Sequence, residues 1–315
     1  MNVIVTGGAG FIGRWVVNKL LSDGHDVWAL DNLSNGRLAN ITEFMNNKSF
    51  NFINGDIKNV HTLNDLFSKR EFSVCYHLAA SINVQDSLDD PVTTFNNDVV
   101  GTLNILEMCR RHKTKLVYMS TCMVYNKSDN DTGITEEHQV KPASPYAASK
   151  LAGENLVLSY WYGYGLPAVV LRPFNTYGPF QKTGGEGGVV AIFLKKNITN
   201  GVLGIYGDGC QTRDLLYVED CADFIVKAGY SPETNGQIIN AGLGRDICIS
   251  DLAKLICKDE THIKHLPHIH PQSEIMKLLC NPSKANTVIG WKPKTSLEEG
   301  ISRTEKWILD HMDLV

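Results

Sequence analysis

The stretch "PYAASK" at 145–150 places a phenol, Tyr146, four residues before an ammonium, Lys150. That spacing puts both side chains on one face of a helix. In a chain with 11 tyrosines, about one such pair is expected by chance. Its setting gives it weight: Ser144 and Pro145 suit a helix start, and the apolar run upstream ends in Ser120 and Thr121. A tyrosine near pKa ~10 is a poor base at neutral pH. Lowering that value by three units takes roughly 4 kcal/mol, which one positive charge at ~4 Å supplies at intermediate dielectric. Tyr146 as base, Lys150 as its electrostatic partner and Thr121 as the hydroxyl holding a substrate oxygen make a workable alcohol-oxidation site.

"STCMVY" at 120–125 adds the thiol of Cys122 beside Thr121, with Met123 next to it. A thiol of pKa ~8.5, lowered by positive neighbours, can serve as acid or base. The same residue also reads as a small buried side chain that fills space. Both readings stand on sequence alone.

Such residues need a scaffold, and short apolar runs alternating with helical patterns provide one. Strands are predicted at Asn2–Thr6, Val27–Leu30, Phe50–Ile53, Val74–Leu78, Leu116–Met119 and Ala168–Arg172. Between them lie helical patterns at Ile12–Ser22, Leu63–Lys69, Val99–Arg110 and Tyr146–Tyr162. Repeated βαβ units mean an α/β fold, a Rossmann-type doubly wound parallel sheet. After Pro173 the rhythm breaks at a glycine-rich loop, "KTGGEGG" at 182–188. A helix at Val189–Lys195, a strand at Leu215–Val218 and a helix at Asp220–Ala228 come next. The expected division is a dinucleotide domain from 1–175 and 211–243, and a smaller C-terminal substrate-binding lobe from 176–210 and 244–315.

"VTGGAGFIG" sets Gly7, Gly10 and Gly13 directly after the first strand, with Phe11 and Ile12 at the mouth of the first helix. A tight turn, a backbone close to a pyrophosphate and a helix N-terminus facing it form a dinucleotide site. Asp31, followed by Asn32, ends the second strand, where it can accept hydrogen bonds from an adenosine ribose. It would repel a 2′-phosphate, which favours NAD over NADP; Arg14 and Arg37 temper that preference. In "NGDI", Asp56 with Ile57 reaches an adenine amino group or caps the next helix.

Composition narrows the class further. A formal net charge of −4 gives no global attraction to nucleic acid or anionic lipid. The eight cysteines include no CxxC pair, so neither a zinc ribbon nor a redox pair is indicated. "MNVIVTGGAG" carries no basic, signal-like start, and no apolar run approaches the roughly 18 residues that span a bilayer. The expectation is a cytoplasmic protein with reduced thiols and no membrane or nucleic-acid partner. "HIKHLPHIH" offers His262, His265, His268 and His270, yet no carboxylate or cysteine joins them at ligand spacing. Loop histidines without a metal are expected.

Seven ordered stretches carry a family resemblance: "TGGAGFIG", "HLAA" at 77–80, "GTLNILE" at 101–107, "STCMVY", "PYAASK", "RPFNTYGP" at 172–179 and "TRDLLYVEDCA" at 212–222. Together with "IGWKPKTSLEEGI" at 289–301, they resemble the extended short-chain dehydrogenase/reductases that modify nucleotide sugars. The resemblance implies an NAD cofactor on the first lobe, against Leu78, Ala79, Ala80 and Pro173, that oxidises a sugar at C4 through Tyr146. It puts Phe174 near the nicotinamide, and Asn83 and Thr121 at the substrate. Asn175, Gly188, Val189 and Arg213 would hold the nucleotide diphosphate. Two positions depart from the family: Asp98 stands for the usual Asn, and His270-Pro271 for a phosphate-gripping Arg-Pro. A homodimer through helices like Val99–Arg110 and Tyr146–Tyr162 is also implied.

Members of that family divide by the fate of the C4 ketone. The 4,6-dehydratases usually carry Thr-Asp-Glu where this chain has Thr121, Cys122 and Met123. Epimerases usually have small or hydroxyl residues there. The titratable Cys122, with "STCMVY" and "GGEGGVV" resembling a branch that acts on nucleotide N-acetylhexosamines, places a 4,6-dehydratase, including a 5,6-eliminating one, ahead of a 4-epimerase. Glu186, on the glycine loop, could supply a carboxylate from the opposite side or simply be solvated.

Overall fold

A computed structural model describes residues 1–128, 131–184, 188–267 and 275–314. Each apolar run of the first half becomes a strand: β1 (Asn2–Thr6), β2 (Asp26–Asp31), β3 (Phe50–Asn54), β4 (Val74–His77), β5 (Lys115–Met119) and β6 (Ala168–Pro173). Later come β7 (Asn175–Tyr177), β8 (Leu203–Tyr206), β9 (Thr212–Tyr217), β10 (Ile238–Ala241), β11 (Asp246–Cys248), β12 (Ile263–Leu266) and β13 (Lys277–Leu278). The helices are α1 (Phe11–Ser22), α2 (Val60–Ser68), α3 (Val84–Asp89), α4 (Pro91–Phe95), α5 (Gly101–His112) and α6 (Pro145–Tyr164). They continue with α7 (Val189–Ile198), α8 (Val218–Tyr230), α9 (Ile249–Ile256), α10 (Ser283–Ile289) and α11 (Leu297–Asp310).

The main sheet is parallel, with strand order β10-β6-β5-β4-β1-β2-β3. Successive side chains of a strand face opposite sides. Val3 and Val5 therefore pack with α1 and α8, through Val16, Leu20 and Phe224, while Ile4 joins Leu63, Ile105 and Val157 of α2, α5 and α6. Both faces are covered, so the sheet is doubly wound. The order reverses between β1 and β4, and a crevice opens at the strand C-termini there. A third core gathers Val190, Phe193, Leu203, Ile205, Leu252 and Ile308 from the C-terminal half.

Several boundaries differ from the sequence reading. α2 starts at Val60, not Leu63, because the Asn59 side chain accepts the Thr62 N–H at 3.1 Å. The helix expected over Val99–Arg110 is one π-helical turn, Asn96–Val100, continued by α5. The predicted strand at Leu215–Val218 spans Thr212–Tyr217, and α8 begins at once at Val218. The short α3 and α4 were not foreseen; Asn83 and Asp90 cap them. Among the described residues, no helix is long and apolar enough to cross a membrane.

Candidate active site

The crevice is a cleft of about 950 Å³. Its floor is the β1–α1 turn, where the backbone needs glycine. A Cβ on Gly13 would lie 2.0 Å from the Gly7 carbonyl oxygen, and one on Gly7, at φ +71°, 2.8 Å from the Ala79 nitrogen. Asp31 closes one end. The Ala9 N–H donates to its Oδ2 at 3.0 Å and the Leu33 N–H to its Oδ1 at 2.8 Å. Burial raises its pKa, and these two donors pull it back. Asp56 does not cap α2: it accepts the Lys58 N–H at 2.8 Å and the Asn32 amide at 3.0 Å. Asn175 adds a buried amide oxygen with no hydrogen-bond partner among the described residues. A glycine cradle under a helix N-terminus, a carboxylate at the second strand and this orphaned acceptor fit a dinucleotide beside a second polar ligand.

Tyr146 stands in the first turn of α6, which begins as its sequence requires: the Ser144 hydroxyl accepts the Ala147 N–H at 3.2 Å, and Pro145 occupies the first helical position. One turn later, Lys150 is buried, its ammonium 4.6 Å from the ring centre of Tyr118. Just beyond the end of β5, Ser120 and Thr121 face the same space. The electrostatics correct the sequence expectation. Burial raises the Tyr146 phenol well above its ordinary pKa; Thr121, hydrogen-bonded to it, lowers the value, and Asp98 and Cys122 raise it. Burial also lowers the Lys150 ammonium, while Asp98 and Glu154 support its charge.

Cys122 is corrected more sharply. Positive neighbours were expected to lower its pKa, and Arg213 does act that way, but burial wins and pushes the thiol up to about 12. The cause is an apolar cluster of Val124, Tyr125, Ile134, Phe174, Ile275, Leu278 and Cys280 around it. At neutral pH the thiol keeps its proton.

All the expected site residues that the structure describes line this one cleft: the β1–α1 turn with Asp31, Asn32, Asp56 and Ile57; Leu78–Ala80 and Asn83; Thr121, Cys122, Tyr146 and Lys150; and Pro173, Asn175, Gly188, Val189 and Arg213. His268, His270 and Glu186 lie outside the described residues. His262 and His265 are described, and no group of three or more metal-ligating side chains gathers among the described residues. Gln211 lines the cleft and was missed. The signal was available: Gln211, Arg213 and Leu215 alternate into the cleft, while Asp214 and Leu216 turn to buried space.

The description "GDP-mannose 4,6 dehydratase" belongs to the family model that matches residues 4–304. A UDP-glucose 4-epimerase of Mycolicibacterium smegmatis is 37% identical over 307 residues, covering 96% of this chain and 97% of the relative. The crystal structure of Pal from Bacillus thuringiensis superposes with a TM-score of 0.96 at 62% identity, covering 98% of this chain and 99% of Pal. A dTDP-glucose 4,6-dehydratase from Bacillus anthracis, solved in complex with NAD, gives a TM-score of 0.91 at 26% identity over 100% and 98% of the two chains.

Proposed function

The chain belongs to the GDP-mannose 4,6-dehydratase family, extended short-chain dehydrogenase/reductases that include nucleotide-sugar epimerases and dehydratases, and on that premise we propose an NAD-dependent nucleotide-sugar 4,6-dehydratase of the 5,6-eliminating kind. Its substrate is a nucleotide-diphosphate N-acetylhexosamine. When bound, the dinucleotide would supply a hydride acceptor for C4, the hydride that returns to C6 after water has left, and a positive ring charge that offsets the burial of the phenol. Tyr146 takes the proton of the C4 hydroxyl, Thr121 holds the same oxygen, and Lys150 favours the phenolate. The Gly7–Gly13 turn, Asp31 and Pro173 seat the dinucleotide. Asn83, Asn175, Gly188, Val189 and Arg213 hold the nucleotide sugar, and a cleft of about 950 Å³ is at the upper end of single-ligand sites.

One observation carries the dehydratase reading: a thiol with a raised pKa lines the cleft beside Thr121, where an epimerase needs no titratable group. A C4 ketone acidifies the C5 hydrogen. In one concerted elimination Cys122 gives its proton to the departing C6 oxygen, which leaves as water. The same sulfur, made more basic by its burial, takes the C5 proton as its own proton leaves, which restores the thiol, and a solvent-exchanged proton returns from it to C5 when hydride adds at C6. The 4-epimerase reading is favoured by the missing carboxylates at 122 and 123 and by the name of the Mycolicibacterium relative.

Turnover of UDP-N-acetylglucosamine and related sugars in D₂O, read by mass spectrometry, separates the two. Loss of water, or one deuterium gained at C5, supports elimination chemistry; an equal-mass isomer without deuterium establishes epimerisation instead.

Two further readings belong here. Exposed Leu88, Val92, Phe95, Leu103 and Tyr162 on α3–α6 support a homodimer through these helices. The two-lobe division is supported by α8 and β10 joining the main sheet, while α7, α9 and α11 share the third core.

A further inference from the structure

Asp98 is a buried carboxyl group on the π-helical turn that precedes α5; burial raises its pKa, and Lys150, the Ser81 N–H and the Ser149 hydroxyl pull it back toward the ionised form. Three contacts hold it there. Its Oδ1 accepts the Ser81 N–H at 2.6 Å, its Oδ2 faces the Ser149 hydroxyl at 2.9 Å, and its carbonyl accepts the Thr102 hydroxyl at 2.5 Å. The last contact extends backwards through the sheet. Thr102 spends its proton on Asp98, so its oxygen must accept at 3.0 Å from His77 Nε2. His77 Nδ1 then accepts from Thr6 at 2.7 Å, and the Thr6 oxygen accepts the Ala79 N–H at 3.2 Å. His77 is thereby fixed as the neutral Nε2–H tautomer, and burial holds its pKa down at about 3. The chain of bonds ties the π turn to the end of β1, beside the glycine cradle.

We infer that Asp98 is a positioning residue that sets the working pH of the Tyr146–Lys150 pair, its pinned carboxylate being the fixed negative charge that keeps Lys150 an ammonium. The inference rests on the alcohol-oxidation role given above to Tyr146. The charged and titratable groups around it are few. Lys150 and Tyr146 of α6 and Tyr118 of β5 interact with Asp98 electrostatically, Glu154 acts on Lys150, Cys122 acts on Tyr146, and neutral His77 of β4 reaches Asp98 through Thr102. Asp98 acts in the same direction on both members of the pair, raising the affinity of each for its proton. Removing that charge lets the pair lose its first proton at lower pH.

Asp98→Asn isolates the charge. An Asn oxygen still accepts the Ser81 N–H, and its amide can donate to the Ser149 oxygen, leaving the Ser149 proton for the Tyr146 carbonyl that lies 2.8 Å away. The expected result is that the ascending limb of the kcat pH profile moves down by about one unit. In the dinucleotide-bound protein, the ¹³Cζ resonance of Tyr146, assigned by its loss in Tyr146→Phe, should titrate lower by a matching amount. Ser149→Ala keeps the charge and should leave both where they are. An unmoved phenol titration in Asp98→Asn, or an equal shift in Ser149→Ala, overturns the inference. Absence of turnover in the parent protein with every sugar nucleotide removes the reading of function instead, and the NMR titration still decides about Asp98.

Discussion

Arg172 holds Glu154 at two points, Nε to Oε1 at 2.8 Å and Nη2 to Oε2 at 2.5 Å, with both side chains buried behind the reaction site. The Ser120 hydroxyl donates to the same carboxylate, and the Arg172 guanidinium lies 4.7 Å from the Tyr125 ring centre. β5, β6 and α6 are thus locked together just where they deliver Thr121, Pro173 and Lys150. A buried, bidentate pair contributes little net stability but is costly to halve. Glu154→Gln should destabilise the protein by about 3 kcal/mol in urea unfolding, whereas Arg172→Met combined with Glu154→Leu should recover most of that loss.

Tyr146→Phe removes the base and leaves the ring. Turnover should fall by at least ~100-fold. Calorimetric binding of the nucleotide sugar should change little, because the diphosphate contacts are remote from the phenol.

Cys122→Ala separates the two halves of the proposed reaction. C4 oxidation, followed as transient cofactor reduction at 340 nm, should persist, while deuterium uptake at C5 drops by ~100-fold or more. Equal loss of both signals would assign Cys122 to packing.

Gly13→Ala should weaken dinucleotide binding by at least ~10-fold, since its Cβ would meet the Gly7 carbonyl oxygen at 2.0 Å and the turn must open. Fluorescence titration with NAD measures this, and circular dichroism checks that the sheet survives.

Asp214 gives stability a pH dependence of definite sign. It lies buried with three backbone donors, from Leu243 at 2.6 Å, Gly244 at 2.9 Å and Cys280 at 3.2 Å, yet burial raises its pKa from 3.8 to about 7. Between those values the folded state binds more protons than the unfolded one. This group's contribution to unfolding free energy therefore falls as pH rises from about 4 to 7. Asp214→Asn should remove that slope from a series of urea midpoints, whatever it does to the absolute stability.

The glycine spacing of the first turn, Asp31 at the end of β2 and the Ser-Pro start of α6 were legible because each is a local rule written in neighbouring residues. β10 was not: "IINA" is too short and too polar at Asn240 to read as a buried strand. Asn240 is buried through distant contacts, its Nδ2 donating to the Ile134 carbonyl at 3.0 Å and its Oδ1 accepting from Tyr125 at 2.8 Å. The sign of the Cys122 shift was hidden for the same reason. Ile275, Leu278 and Cys280, which enclose the thiol, lie about 150 residues away, so nothing near position 122 records its burial. Asp98 was noticed as a departure from a pattern, but its bond to Ser149 and its approach to Lys150 depend on how α6 crosses the π turn.

The place of β10 beside β6 has a bearing on synthesis. A polypeptide leaving the ribosome exposes one long edge of its principal sheet until residue 241 is out, and α8, which covers that sheet, emerges only shortly before. β7, α7, β8 and β9 appear between β6 and α8, and the elements from β11 to α11 follow later. Completion of the main sheet must therefore wait for that inserted segment, and fragments truncated before residue 238 leave β6 as an unpaired edge strand open to association with other chains.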